Sequence, residues 1–416
     1  MMLDLQRRLA NRARGKEPSI IRELLKYLKI DGMISLGGGY PNPDTFVFKQ
    51  VDVQFKDGTK AALEGKDLIT ASQYGPSDAH AGLRRELIDW HRGKDGVTLD
   101  ESQIVVLNGS QEGLFIMAYL FAEAEDSIVV SEPTYPGALA SFKSFTKNFV
   151  SVPLDVNGMD TSALASKLSV LSSQGKPMPK FIYTIPNGHN PGGVGLSQDR
   201  KKQMLELASK YDLLICEDDP YQLVRLDDNP PGASLQSMDT EGRVVRLDSF
   251  SKIFAPGLRI GYASGPADIV KQILYFKQCS NLHTSMFIQA LLHQYLTTGG
   301  HDGFRVHIRK NCDFYRRNRD AMMAAAHEYL PSEVTYNVPN EGMFIWFVLP
   351  KDCNANRMIE EQCESLKVLL VPGGAFSTQG GLQNCMRASF SMVSPEQIHE
   401  GMKRFGEMVK VELERS

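Results

Sequence analysis

The sequence predicts an α/β protein with a mainly parallel sheet covered by helices on both faces. Three observations predict it. Between about residues 100 and 265, short apolar, β-rich runs alternate with helical stretches. The runs are continuously apolar rather than alternating, as in strands buried on both faces. A polar, Gly- and Pro-rich segment follows each run, and open α/β sheets bind ligands outside the carboxyl ends of their strands.

The elements justify this in order. Residues 1–35 read as an arm plus a helix, Ser19 to Lys29. The loop Gly37-Gly38-Gly39-Tyr40-Pro41-Asn42-Pro43 lets backbone come close to a ligand. Ile104–Leu107 leads into Gly109-Ser110-Gln111-Glu112-Gly113 and an apolar helix. Ile128–Val130 leads into Glu132-Pro133-Thr134-Tyr135-Pro136, and Phe181–Ile185 into Pro186-Asn187-Gly188-His189-Asn190-Pro191-Gly192. Leu213–Cys216 leads into Glu217-Asp218-Asp219-Pro220-Tyr221, and Val244–Leu247 into Asp248 and a lysine segment ending at Gly261. After about residue 300 the character changes. His301 to Leu330 reads as a long charged helix, Met343–Leu349, Lys367–Val371 and Cys385–Ser391 as strands, and Pro395 to Glu414 as a closing helix. This is the pattern of a smaller α+β domain.

The bulk composition excludes several classes. A chain of 416 residues is long enough for two or three domains. A net charge of −3 gives no sign of nucleic-acid binding. No apolar run approaches the roughly 20 residues of a membrane span. The cysteines at 216, 279, 312, 353, 363 and 385 include no C-x-x-C pair and no zinc spacing. They read as reduced, mostly buried thiols of an intracellular protein, with no metal expected. Arg7, Arg8, Arg12 and Arg14 open the chain without an apolar h-region, and Asp4 and Glu17 intrude on a presequence reading. The expected compartment is the cytoplasm, with the mitochondrion as the alternative.

The chemistry centres on Asp248-Ser249-Phe250-Ser251-Lys252, with Arg259 seven positions on. The lysine amine can form a Schiff base with an aldehyde, and the serine hydroxyls and arginine fork can hold a phosphate. Pyridoxal phosphate carries both groups. Other segments supply further pieces. Asp218 at a strand end would keep a pyridine nitrogen protonated, and a protonated ring is an electron sink. Tyr221 and the Asn190 amide could hydrogen-bond the ring 3-oxygen. Ser110 and Gln111 open a helix, where backbone N–H groups and the dipole favour phosphate. Tyr135 could stack on a flat ring. Arg387, in an otherwise apolar strand, could fork a substrate carboxylate. Taken singly, each has a plain reading: an acidic turn, an N-P-G turn, an N-cap serine, core packing, an edge-strand arginine facing water.

Together and in this order, these residues resemble the fold-type-I pyridoxal phosphate aminotransferases of class I/II, over about Pro18 to the C-terminus. The chain looks similar to the kynurenine/α-aminoadipate and fungal aromatic aminotransferases within it. The stretches that carry this are residues 34–43, Glu217 to Tyr221, Asp248 to Lys252, and Arg387-Ala388-Ser389-Phe390-Ser391. The resemblance implies a seven-stranded, mainly parallel sheet in a large cofactor domain, 49–300. It implies an N-terminal arm, helix and glycine loop, 1–48, and a small domain, 301–416. It assigns Lys252, Asp218 and Tyr221 to catalysis, and Ser110, Gln111, Tyr135, Asn190, Ser249, Ser251 and Arg259 to the cofactor. Arg387, Asn190, Gly39, Tyr40 and Arg22 would meet the substrate; surface charge for Arg22 and loop packing for Tyr40 are the plain alternatives. Tyr74 matches a tyrosine that reaches the neighbouring subunit's cofactor phosphate, which implies a homodimer. The implied activity is transfer of an amino group from an aromatic amino acid, kynurenine or 2-aminoadipate to a 2-oxo acid such as 2-oxoglutarate, by ping-pong kinetics. A C–S lyase, a decarboxylase or a non-catalytic ligand sensor on the same scaffold are the competing readings. Two departures stand out: Asn190-Pro191-Gly192-Gly193 where the family has Asn-Pro-Thr-Gly, and Phe254 and Pro256 where it has smaller, more polar residues.

Overall fold

The computed structural model describes residues 5–19, 27, 30–34, 36, 37 and 39–415. The helix expected from Ser19 to Lys29 falls almost wholly outside the described residues, and Arg22 with it. In chain order the strands are β1 (Gln50–Gln54), β2 (Lys60–Glu64), β3 (Ile104–Leu107), β4 (Ser127–Glu132), β5 (Asn148–Asp155), β6 (Gly158–Met159) and β7 (Phe181–Thr184). They continue with β8 (Leu214–Asp218), β9 (Val244–Ser249), β10 (Gly261–Ser264), β11 (Thr335–Tyr336), β12 (Phe344–Val348), β13 (Val371–Pro372) and β14 (Cys385–Ser389). The chain groups into two compact units, one of Met1–Ala122 with Asp239–His307, the other of Glu123–Met238 with Ile308–Ser416.

In the first unit, β1 and β2 form an antiparallel hairpin, and Leu63 packs with Leu68, Ala71 and Ala290. β10 lies antiparallel between β3 and β9, with Gly261 opposite both Leu107 and Ser249. That register brings the carboxyl ends of β3 and β9 level. A Cβ on Gly261 would stand 3.1 Å from the Gly109 Cα, so the two segments that leave these strands run close together. The helix Ser110–Phe121 starts immediately after β3, and its Leu114, Met117, Ala118 and Phe121 are fully buried.

In the second unit, β4 lies parallel between β5 and β7, and β7 is parallel to β8. β6 turns back antiparallel on β5. The carboxyl ends of β4, β7 and β8 therefore share one rim. This unit also holds a four-stranded antiparallel sheet in the order β11-β12-β14-β13. Ile345, Phe347, Met386 and Phe390 pack there against Met402, Phe405 and Met408 of the helix Pro395–Leu413. Ser394 and Gln397 cap that helix reciprocally.

The α/β class and the mainly parallel pattern hold, with three differences in detail. The large-sheet strands number eight rather than seven, because the two-residue β6 extends the edge. β1, β2, β5, β10 and β11 were not anticipated. β5 carries Asn148, Ser151 and Pro153, and β10 is four residues of mostly small side chains, so neither reads as a continuous apolar run. The strand expected at Lys367–Val371 shrinks to Val371–Pro372. Lys367 instead ends the helix Ala355–Leu366 in the left-handed conformation, at φ 51°, which breaks the extended run. The helix expected from His301 runs Gly300–Tyr329. No disulfide forms; Cys216, Cys312, Cys353 and Cys385 are buried and Cys279 is exposed. Among the described residues, no helix is long and apolar enough to cross a membrane, and no cluster of His, Cys, Asp or Glu could hold a metal.

Candidate cofactor and substrate site

One group of expected site residues lies in the first unit. β9 ends at Ser249, and Ser251 and Lys252 sit in the turn that follows, half-buried. The Ser251 N–H donates to Ser249 Oγ at 3.2 Å, which pins the turn. Arg259 adopts the left-handed conformation at φ 51°, uncommon for a residue with a side chain. Its guanidinium points back along the segment. Nη1 donates to Ser251 Oγ at 3.3 Å, and Nη2 donates to the Asn108 carbonyl at 3.3 Å. Nη2 also covers Gly109, where an added Cβ would lie 2.5 Å away. Gly109, at φ 79°, is the N-cap of the helix Ser110–Phe121, and no side chain caps it. The helix start thus lies beside the Arg259 guanidinium, which also reaches the Ser251 hydroxyl, a donor set suited to a phosphate dianion.

Under this turn Asp248 is buried with Arg246, Lys94, Asp95 and His91. Arg246 Nε donates to Asp248 Oδ2 at 2.8 Å, and Lys94 Nζ lies 3.3 Å from Asp248 Oδ1. Burial alone would push the Asp248 carboxyl up, but Arg246 and Lys94 hold it well below the usual range. Phe254 packs among Phe55 and Tyr295, at ring separations of 6.1 and 4.9 Å.

A second group lies in the second unit. Asp218 closes β8 and is buried; the Tyr183 hydroxyl donates to its Oδ2 at 3.0 Å. Tyr221, three residues on, is also buried. Burial first, then Asp218 and Tyr135, push its phenol up, while Arg387 opposes the shift. Tyr221 is therefore a neutral hydroxyl donor. Asn190 is buried, and its Oδ1 accepts from Arg387 Nη1 at 2.9 Å. The Asn190 amide donor lies on the other side of that carboxamide. Arg387 is clasped by two rings, its Cζ 4.4 Å from the Phe344 centroid and 5.1 Å from that of Phe376. Its buried Nε has no hydrogen-bond partner. Burial lowers the Arg387 pKa, and Tyr221 and Tyr135 oppose this. An unspent N–H on a clasped guanidinium fits a carboxylate ligand. Tyr135 precedes the helix Pro136–Phe142, and the missing side chain at Gly137 makes room for its ring.

The donor sets in the two units fit pyridoxal phosphate: phosphate donors beside a lysine in one, and a buried carboxylate with a neutral phenol in the other. Ser110 and Gln111 start the uncapped helix, as expected. Tyr74 is exposed and meets Tyr40 edge-on at 6.1 Å, while Gly39 is exposed with open space around it. Sequence reasoning missed Tyr183, Phe344, Phe376 and the Asp248 cluster. Tyr183 carried a signal, a hydroxyl inside an apolar strand, since buried hydroxyls seek a partner. The rings beneath Arg387 carried none, because they come from distant segments.

Residues 44–405 match the family model for aminotransferase class I and II. The chain is similar to the aromatic-amino-acid aminotransferase 1 of Thermococcus litoralis, 38% identical over 99% of this chain and 96% of that protein. It is 35% identical to the mitochondrial kynurenine/alpha-aminoadipate aminotransferase of Bos taurus, over 96% of this chain and 97% of that one. Among solved structures, the Pyrococcus horikoshii kynurenine aminotransferase in complex with PMP matches with a TM-score of 0.80 and 36% identity, covering 99% and 98% of the two chains. The aminotransferase Aro8 of Candida albicans matches with a TM-score of 0.88 and 27% identity, covering 100% and 99%.

Proposed function

Because this chain belongs to the class I and II aminotransferases, pyridoxal-phosphate-dependent transaminases, we propose that its amino donor is an aromatic amino acid, kynurenine or 2-aminoadipate and its acceptor a 2-oxo acid, 2-oxoglutarate first among them. Relatives that act on aromatic amino acids, kynurenine and aminoadipate support this choice. The observation that carries the site assignment is Arg387, clasped between Phe344 and Phe376 with one N–H spent on Asn190 and Nε unspent.

When bound, the cofactor supplies a protonated ring that withdraws electrons from the substrate Cα. Arg259, Ser110, Gln111, Ser249 and Ser251 hold its phosphate. Asp218, steadied by Tyr183, keeps the ring nitrogen protonated. Tyr221 and Asn190 would donate to the ring oxygen, and Tyr135 would stack on the ring. Arg387 would orient the substrate by its α-carboxylate; Gly39, Tyr40 and Arg22, the last outside the described residues, belong to the proposal as contacts for its side chain. Lys252 would anchor the cofactor, and its amine would serve as the base that takes the proton from the substrate Cα. Two half-reactions with one substrate each give ping-pong kinetics.

The division at residues 48 and 300 and a cytoplasmic location, with the mitochondrion as the alternative, belong to the same proposal. So does a homodimer in which Tyr74 serves the neighbouring site. Exposed Ile34, Leu36, Val47, Phe48 and Tyr74, all in the first unit, support an interface. The test is to mix the holoenzyme with a panel of amino acids and follow the cofactor spectrum, with and without 2-oxoglutarate. Conversion of the aldehyde form to the amine form by an aromatic amino acid, kynurenine or 2-aminoadipate, reversed by the oxo acid, is expected. Failure of all of them refutes the substrate proposal. Lys252→Ala should abolish turnover and the lysine-bound cofactor absorbance.

A further inference from the structure

The loop that carries Asn190 rests on an unusual seat. It closes on itself through His189 N–H to the Val194 carbonyl at 2.9 Å and Gly193 N–H to the His189 carbonyl at 2.7 Å. It then meets residues 341–344 at three glycines. Gly188, at φ 55°, lies so near Gly342 that a Cβ would stand 2.6 Å from the Gly342 Cα. Gly193, at φ 63°, faces the Phe344 carbonyl, where a Cβ would collide. Gly195 has an ordinary φ; a side chain there would occupy the place of Glu341 Oε1.

Glu341 is buried, at 5% exposure. Its Oε1 accepts from the Gly188 N–H at 2.9 Å, and its Oε2 pairs with Arg225. The Leu226 N–H to Asn340 carbonyl and Gly342 N–H to Val224 carbonyl bonds, at 2.8 and 2.9 Å, hold Arg225 and Glu341 side by side. Two residues past Gly342, β12 begins, and its Trp346 pairs with Arg387. One short stretch, 341–346, thus fixes the Asn190 loop at one end and the register of Arg387 at the other.

We propose that Glu341 is a positioning residue: its buried carboxylate locks the 188–195 loop to β12, so that Asn190 stays in place to hold the Arg387 fork for a substrate carboxylate. This deepens, and rests on, the reading of Asn190 and Arg387 as site residues. Gly195, two residues beyond the Asn190-Pro191-Gly192-Gly193 departure, leaves the space that the Glu341 carboxylate fills.

The test uses the holoenzyme and two readouts, amide hydrogen exchange across residues 187–195 and the dissociation constant of the unreactive carboxylate 3-phenylpropanoate. Glu341→Ala, and Gly195→Ala by displacing the carboxylate, should each speed exchange at 188–194 roughly tenfold. Each should weaken the carboxylate probe about tenfold, the scale of one lost charged hydrogen bond. Glu341→Gln keeps an acceptor for the Gly188 N–H and should restore most of the exchange protection. In an Asn190→Ala background, Glu341→Ala should add no further loss of carboxylate affinity. Wild-type exchange in both Glu341→Ala and Gly195→Ala overturns the proposal, and so does an undiminished effect of Glu341→Ala without Asn190. If Arg387→Lys leaves probe binding unchanged, the carboxylate reading of Arg387 fails instead, and the exchange data still decide whether Glu341 holds the loop.

Discussion

His189 should make this protein lose stability on mild acidification. It is buried in the Asn190 loop. Its Nδ1 accepts from the Gly192 N–H at 3.3 Å, so its proton sits on Nε2, which faces Ser131 Oγ at 2.8 Å. Protonation would turn Nδ1 into a second donor aimed at an N–H, in a buried site. Burial accordingly lowers its pKa from 6.5 to about 3. The folded value lies below the unfolded one, so the unfolded chain takes the proton first as pH falls. The contribution is complete above the unfolded pKa and is lost between pH 6.5 and pH 3. Integrated from pH 7 to pH 5, that is about 2 kcal/mol for this one group. His189→Gln offers an acceptor and a donor without titrating. Urea unfolding of both proteins at pH 7 and pH 5 isolates the effect, because each protein is compared with itself. The wild type should lose about 2 kcal/mol more than the variant. Equal losses would mean that His189 is protonated in the fold, and the reasoning fails.

Asp248→Asn should destabilise the protein by about 3–5 kcal/mol at pH 7, since it leaves Arg246 and Lys94 short of a buried carboxylate. The depressed Asp248 pKa makes that contribution present above the usual carboxylate range and lost as pH falls below it, so unfolding curves of the two proteins should converge on acidification. Tyr183→Phe removes the hydroxyl that donates to Asp218 and should cost about 1–3 kcal/mol in thermal or urea unfolding; an unchanged midpoint would sink that role. Arg387→Lys should lower kcat/KM for amino acids roughly 10- to 100-fold, because an ammonium cannot reproduce a clasped fork; steady-state kinetics check it.

The strands that bear chemistry were legible because parallel strands buried on both faces must be apolar throughout, as at Ile182 and Ile215. The loops after them were legible because their turn residues are Gly, Pro, Asn and Asp. β5 was not, because its outer position with β6 lets it carry Asn148, Ser151 and Pro153. Lys367 was not, because β-rich neighbours hid a left-handed helix end. The site residues themselves lie close to their strands in sequence, so order alone gathered them. Their supports do not: Glu341 lies 153 residues from Gly188, and Asp248 lies 154 from Lys94.

Those distant supports share one physical reason. A side chain that must stay within a fraction of an ångström of its productive place needs a neighbour to hold it there. Three of the reactive segments have such a neighbour, and in these the neighbour is polar and buried. Arg246 and Lys94 balance Asp248 under the lysine turn, Tyr183 stands behind Asp218, and Glu341 stands behind the Asn190 loop. A buried polar group is costly unless its partner is in place, so each pair penalises displacement more steeply than apolar packing would. A hydrophobic replacement of similar volume at Glu341 should therefore leave the fold standing and still loosen the site. The signature to look for is faster loop exchange or weaker ligand binding at an unchanged unfolding midpoint.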